Sequence, residues 1–281
     1  MNRLTRLPAT YVALCFFWLC AATQAQTSPA NASTSLTFGI VPQQSASKLV
    51  KRWGPLLQQL SLHSGVDIRF ATAPDIPTFE QRLSQGQYDI AYMNPYHYVE
   101  FHQRVGYNAI AKAKDKQIKG IIVVPKNAAI NELSDLQQQT LAFPSPAAFA
   151  ATIITQAALR QHKVDFDVAY VSSHDSVYRA VAKGLYPAGG GVIRTFNNTE
   201  KNVKDKLTVL YTSLGYTPHA IATHPRLAPE IQSKLQQALV NLSNTGEGQQ
   251  ALKNLSIKGF SQAQNQDWDD IRSLNLPQLE P

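Results

Sequence analysis

The chain has 281 residues, with 26 Lys plus Arg against 19 Asp plus Glu, a formal net charge of +7 and only 16% charged residues. Its basic residues are scattered along the sequence, which argues against nucleic-acid binding, because that requires a concentrated basic face. The only two cysteines, Cys15 and Cys20, lie near the N-terminus, so the remainder has no thiolate metal ligand, disulfide or cysteine nucleophile.

The first residues read as an export signal. Arg3 and Arg6 precede an apolar run from Tyr11 to Ala22, and Thr23-Gln24-Ala25 places small residues where a signal peptidase cuts. Residues 1–25 are therefore predicted to be a signal peptide, and the mature protein periplasmic. The apolar run is too short for a comfortable membrane span. A lipoprotein anchor at Cys20 is not expected, because Phe17 and Trp18 stand where small residues are needed.

Strands and helices then alternate. Leu36 to Val41 is a predicted strand, and Ser45 to His63 a helix with Leu49, Trp53, Leu56, Leu57 and Leu60 on one face and a Gly54-Pro55 kink. Val66 to Ala71 is a strand. Thr78 to Gln85 is a short helix that Thr78 would cap. The stretch from Gly86 to Tyr98 is the most informative: a strand from Tyr88 to Tyr92 runs into a Pro-bounded turn and an aromatic-rich helix. Ligands of open α/β sheets sit beyond such strand ends, where the next helix presents unpaired N–H groups.

Further strands are expected at 109–113, 120–124, 140–143, 168–172, 189–193, 207–211 and 219–223. Helices are expected at 147–162, 174–183, 228–242, 246–254 and 267–274. The alternation predicts an α/β fold of mainly parallel sheets flanked by helices, divided into two lobes with a cleft between them. Crossovers near Lys119-Gly120 and Ser213 to His219 make lobe one discontinuous, 33–118 and 216–281, and lobe two 119–215.

Four motifs in this order resemble the phosphate/phosphite/phosphonate-binding proteins of ABC importers. They are Phe38-Gly39-Ile40-Val41-Pro42-Gln43-Gln44 with Trp53-Gly54-Pro55-Leu56, then Tyr88-Asp89-Ile90-Ala91-Tyr92-Met93-Asn94-Pro95. Ser173-His174-Asp175-Ser176 and Ala180-Val181-Ala182-Lys183-Gly184 complete the set. The resemblance spans essentially the whole mature chain. It implies a type II periplasmic-binding fold holding a small oxyanion between lobes, no cofactor, and an ABC permease as partner. The family's strand-end region corresponds to Tyr92, Asn94, Pro95 and Tyr96, and its His-Asp motif to His174 and Asp175.

Two departures stand out. Where the family carries a Ser-Thr-Ser-Gly clamp at a helix start, this chain reads Phe143-Pro144-Ser145-Pro146-Ala147-Ala148-Phe149, so only Ser145 keeps a hydroxyl. Where phosphonate-binding members carry second-lobe carboxylates, this chain has Pro187-Ala188-Gly189-Gly190-Gly191-Val192-Ile193-Arg194-Thr195. Glycines there would let backbone approach a ligand, and Arg194 offers a fork of donors to an oxyanion; its alternative role is an interlobe or surface salt bridge. The pattern resembles the branch containing arsenic-oxyanion sensors, but their cysteine is missing, so arsenite binding does not transfer.

The candidate ligand set is therefore Gln43, Gln44, Tyr92, Asn94, Tyr96, Ser145, His174 and Arg194. No catalytic residue is assigned: there is no Gly-x-Ser-x-Gly elbow, Walker loop or paired carboxylate in an acid/base context. The histidines lack helical His-x-x-x-His spacing, so no metal is expected. The expected function is a monomeric periplasmic solute-binding protein that delivers a small oxyanion to an ABC importer. The alternative is a ligand-loaded sensor subunit docking on a histidine kinase, with a periplasmic hydrolase ranked far below both.

Overall fold

The structure is a computed structural model that describes residues 35–279. The predicted signal peptide and Cys20 lie outside the described residues.

In chain order the strands and helices are β1 (Leu36–Ile40), α1 (Ala46–Ser64), β2 (Ile68–Ala71), α2 (Ile76–Ser84), β3 (Ile90–Met93), α3 (Pro95–Val105), β4 (Asn108–Ala113) and β5 (Gly120–Pro125). There follow β6 (Gln139–Phe143), a π-helical turn (Phe149–Ile154) continued by α4 (Thr155–Gln161), β7 (Phe166–Tyr170), α5 (His174–Ala182), β8 (Gly189–Val192), α6 (Ile193–Asn197), α7 (Lys201–Lys204) and β9 (Leu207–Thr212). The chain closes with β10 (Ala220–Thr223), α8 (Pro229–Asn241), α9 (Gly246–Asn254), β11 (Phe260–Gln262) and α10 (Asp269–Arg272).

Two sheets form two lobes. The six-stranded sheet of lobe one has the order β11-β4-β10-β3-β1-β2, and the five-stranded sheet of lobe two β7-β6-β8-β5-β9. The expectation of mainly parallel pairing is corrected. Pairs β1–β2, β1–β3, β6–β7 and β6–β8 are parallel, whereas β10 runs antiparallel to β3 and β4, β11 to β4, and β5 to β8 and β9. The physical reason is connectivity: β10 returns from lobe two and enters the first sheet from the opposite end, which no local pattern encodes.

Local chemistry accounts for most element ends. Helix α1 ends at Gly65, whose φ of 70° is the left-handed conformation glycine adopts without strain. Its buried face is Leu49, Trp53, Leu56, Leu57 and Leu60, as predicted, and Pro55 sits inside the helix. Helix α2 begins earlier than predicted and is capped by Asp75, whose carboxylate accepts from the Thr78 N–H at 2.8 Å; Thr78 is the recipient of the cap rather than the cap. Strand β7 stops at Tyr170, short of the predicted Ser172, whose φ of 72° cannot continue a strand. The predicted 267–274 helix opens as a 3₁₀ turn over Asn265–Trp268. Strand β11 and helix α7 were not anticipated.

The core of lobe one centres on Trp53, whose ring lies 4.5 Å from that of Tyr92 and 6.0 Å from Phe38. That apolar cluster also takes in Ala147 to Ala151, Ile154 and Val192 from lobe two. The two lobes therefore meet through continuous apolar packing, a closed arrangement. Lobe two's remaining core divides into two clusters, one including Val124, Leu141 and Leu159, the other Val123, Val177 and Tyr178.

Candidate interlobe anion site

The cleft is built where strand ends of both sheets face each other. Strand β3 ends at Asn94, which caps α3: its side-chain oxygen accepts from the His97 N–H at 2.8 Å, and Pro95 occupies the first helical position. The Asn94 amide nitrogen reaches across the cleft and donates to the Ala147 carbonyl at 3.0 Å. Asn94 thus fastens lobe one to the start of the lobe-two helix.

That helix start is unusual. Its first turn is π-helical, and Gly120 on β5 and Gly190 on β8 lie under it. A Cβ on Gly120 would sit 2.1 Å from the Ala150 carbonyl oxygen, and one on Gly190 2.0 Å from that of Ala151. The glycine run of β8 serves this close packing: Gly189 faces Val177 and Gly191 faces the Tyr178 hydroxyl. The expectation that these glycines admit a ligand to the backbone is therefore corrected; they admit helix backbone and core side chains.

The space directly at the helix start is small. A cavity of about 10 Å³ is bounded by Gln43, Asn94, Ala148, Phe149 and His174, room for roughly one water. Phe149, fully buried, closes it from one side and packs edge-on against Tyr216 at 5.5 Å. The other polar groups around it are engaged. The His174 ring Nδ1 lies 3.2 Å from Thr195 Oγ1, and its backbone N–H donates to the Gln43 carbonyl at 3.2 Å. The Thr195 hydroxyl also lies 2.9 Å from the Val192 carbonyl and 2.8 Å from the Tyr178 hydroxyl, so the imidazole is held in a buried polar network. Burial holds the His174 imidazole well below its ordinary range, at about 4; Asp175 beside it pulls the other way and Arg194 reinforces the depression. His174 is neutral at pH 7.

Beside this point, against the two segments that join the lobes, lies a larger chamber of about 110 Å³, with Tyr92, Lys116, Ile118, Arg194 and His219 in its wall. Arg194 comes from α6 of lobe two. Its Nη2 donates to Gln43 Oε1 of lobe one at 2.8 Å, and its guanidinium carbon lies 5.9 Å from the Tyr92 ring centre. Tyr92 is also stacked against His219, with ring centres 4.7 Å apart and planes inclined by 13°. His219 is buried and Nε2 has no hydrogen-bond partner. Burial, then the positive field of Arg194, keeps its imidazole neutral, well below its usual pKa.

A latch of opposite charges crosses the rim. Lys48 of α1 pairs with Asp175 (3.0 Å) and Glu200 (3.1 Å) of lobe two, and Gln44 donates to Asp175 at 3.4 Å. Asp175 is buried, so its charge needs these partners. It is Ser173 that caps α5, accepting from the Ser176 N–H; Asp175 acts between lobes. Lys48→Ala is expected to shift the protein toward an open form and weaken ligand binding ~3–10-fold, the scale of one part-buried ion pair. Distances between spin labels on the two lobes would report it; an unchanged distribution would show that the pair does not hold the lobes together.

The eight predicted ligand residues thus divide. Gln43, Asn94 and His174 surround the small cavity, and Tyr92 and Arg194 line the chamber. Gln44 belongs to the latch, where its Oε1 also accepts from Arg52 at 3.5 Å. Tyr96 and Ser145 stand apart, on a groove bordered by the C-terminal segment. The Tyr96 hydroxyl donates to the Pro277 carbonyl, and the buried Ser145 hydroxyl has no partner. Sequence reasoning missed Lys48, Lys116 and His219. The one signal for His219 was its place at the end of the predicted crossover.

The sequence profile of the family described as "ABC transporter, phosphonate, periplasmic substrate-binding protein" matches residues 38–268. The chain belongs to that family. It is 22% identical over 233 residues to the phosphate-import protein PhnD of Mycolicibacterium smegmatis, covering 75% of this chain and 72% of that one. Two solved structures share its fold. The binding component of an ABC phosphonate transporter from Pseudomonas aeruginosa has a TM-score of 0.79 at 19% identity, covering 86% of this chain and 85% of that one. PhnD1 of Prochlorococcus marinus, in complex with methylphosphonate, has a TM-score of 0.79 at 20% identity, covering 86% and 98%. The fold is therefore the two-lobed type II periplasmic-binding fold.

Proposed function

We propose that this protein is the periplasmic receptor of an ABC importer, capturing a small oxyanion by lobe closure and presenting the closed form to the permease. The observation that carries this reading is Arg194. It is part-buried at the lobe boundary, bonds to the opposite lobe through Gln43, and has no carboxylate partner among the described residues. A guanidinium withdrawn from water without a counter-charge favours an incoming anion. Closure removes the anion's hydration, and donors from both lobes must replace it.

The reading places the lobe boundaries at 33–118 with 216–281, and 119–215, so that the two crossing segments act as the hinge. The chain acts as a monomer, with the signal peptide at 1–25 directing export. Its membership of a transporter family, whose members bind rather than convert their solutes, agrees with a binding role rather than an enzymatic one.

The test is a thermal-shift series with phosphate, phosphite, methylphosphonate, arsenate and sulfate. A ligand that binds only the folded state raises the melting temperature by RT ln(1 + [L]/Kd), so the shift must grow with concentration. A concentration-dependent rise with one of these anions supports the receptor reading; none at millimolar concentrations of any of them overturns it.

A further inference from the structure

We propose that the ligand seat of this chain lies in the hinge-side chamber of Arg194, Lys116 and His219, not at the helix start, and that the seat rejects an oxyanion whose organic group carries an ammonium. This inference rests on the receptor reading and adds the place and the chemical class.

The helix start cannot serve. Its cavity of about 10 Å³ admits roughly one water, and Ala147, Ala148 and Phe149 bring no side-chain donor. Its neighbours are committed inside the protein: Asn94 to the α3 cap and to Ala147, His174 to Thr195, Gln43 to Arg194. Phe149 is wedged against Tyr216 and into the core of lobe one, so opening the cavity would break apolar packing.

The chamber offers what the helix start lacks. At about 110 Å³ it holds several non-hydrogen atoms. Two cations line it, Arg194 and the exposed Lys116, and no carboxylate does. Only Nη2 of the Arg194 guanidinium is bonded, to Gln43, which leaves further N–H groups for an oxyanion. His219 adds a buried, neutral imidazole whose Nε2 lacks a partner, a group that calls for one. The rest of the wall is largely apolar, with Ile118, Val192, Pro218 and Ile257. That combination suits an anionic head near Arg194 and His219 with an apolar body along the hinge. A ligand ammonium would meet two cations and no carboxylate, and is disfavoured.

Isothermal titration of the purified protein with methylphosphonate, inorganic phosphate and 2-aminoethylphosphonate tests both parts. Methylphosphonate is expected to bind at least tenfold more tightly than 2-aminoethylphosphonate and at least as tightly as phosphate. Arg194→Leu and Lys116→Glu should each weaken methylphosphonate at least tenfold, the scale of a lost charge-assisted hydrogen bond or a reversed charge. Lys116 is exposed, so K116E keeps the test valid even where R194L lowers the melting temperature. Ala148→Val, which fills the helix-start cavity, should leave the affinity within twofold. Loss of binding in A148V with R194L and K116E unaffected would put the ligand at the helix start and overturn the seat while leaving the receptor reading intact. Equal affinity for 2-aminoethylphosphonate would overturn the chemical class. Failure of all three to bind the unaltered protein, while phosphite, arsenate or sulfate still raises its melting temperature, would overturn this inference and leave the receptor reading intact; no shift with any of these anions would overturn both.

Discussion

Gly190→Ala is expected to destabilise the protein by about 3 kcal/mol or more, at the upper end of the cost of overpacking a close-packed core. The new methyl carbon would lie 2.0 Å from the Ala151 carbonyl oxygen and 2.6 Å from the Phe143 ring. The first obstacle is backbone, so no rotamer change relieves it, and the π-helical turn must lift off strand β8. For a chain of this size the loss corresponds to a fall in melting temperature of roughly 6–12 °C. Thermal unfolding of the purified variant measures it directly. A variant that melts with the wild type would show that the helix start can ride away from the sheet, and would reopen the space beside Ala148 to a ligand. Gly54, whose Cβ would meet nothing within 4 Å, is the matched control. An Ala there adds helix propensity without a clash.

The same glycines mark where sequence reasoning stops. A Gly-Gly-Gly strand announces close approach by something, and local pattern does not say whether that is ligand or helix. The answer came from Ala150 and Ala151, some forty residues earlier. Elements with a local cause were legible: the α1 face from Leu49 to Leu60, the Asn94-Pro95 start of α3, the α9 span, and the two-lobed alternation. What was not legible depends on distant partners. The antiparallel entry of β10 follows from the return crossing rather than from its own residues. Tyr96 looks like a cleft residue in the run Tyr92 to Tyr98, yet its hydroxyl finds Pro277 near the opposite end of the chain. Ser145 looks like the surviving clamp hydroxyl, yet it lies on the groove beside Tyr96. Arg194, by contrast, was readable through the resemblance, which implies second-lobe carboxylates in that stretch, and the structure sets its guanidinium against Gln43 and Tyr92.

Acidification is expected to weaken the fold in a window set by the buried histidines. An unfolded histidine titrates near 6.5, whereas His174 in the fold titrates at about 4 and His219 is also held well below its usual value. Between those limits the unfolded chain binds protons that the folded chain refuses, so stability falls as pH falls. The contribution is complete above about pH 6.5 and is lost progressively down to pH 4. For His174 alone the difference amounts to about 3 kcal/mol, and His219 adds in the same direction. The groups facing them explain why neither escapes. His174 has Asp175 and Arg194 nearby, and His219 has Arg194, His97 and His174, so the one favourable carboxylate serves only His174. The melting temperature should drop by roughly 6–12 °C between pH 7 and pH 4 from His174, before carboxylate protonation contributes further. His174→Asn, whose amide falls where Nδ1 does and carries no titrating ring, should remove the His174 share of the slope between pH 6.5 and 4 and leave that of His219, even where it lowers the melting temperature at pH 7. A wild-type profile already flat across that window would mean that the histidines gain their protons within the fold, and that the cleft is more open to water than the packing of Phe149, Tyr92 and Trp53 requires.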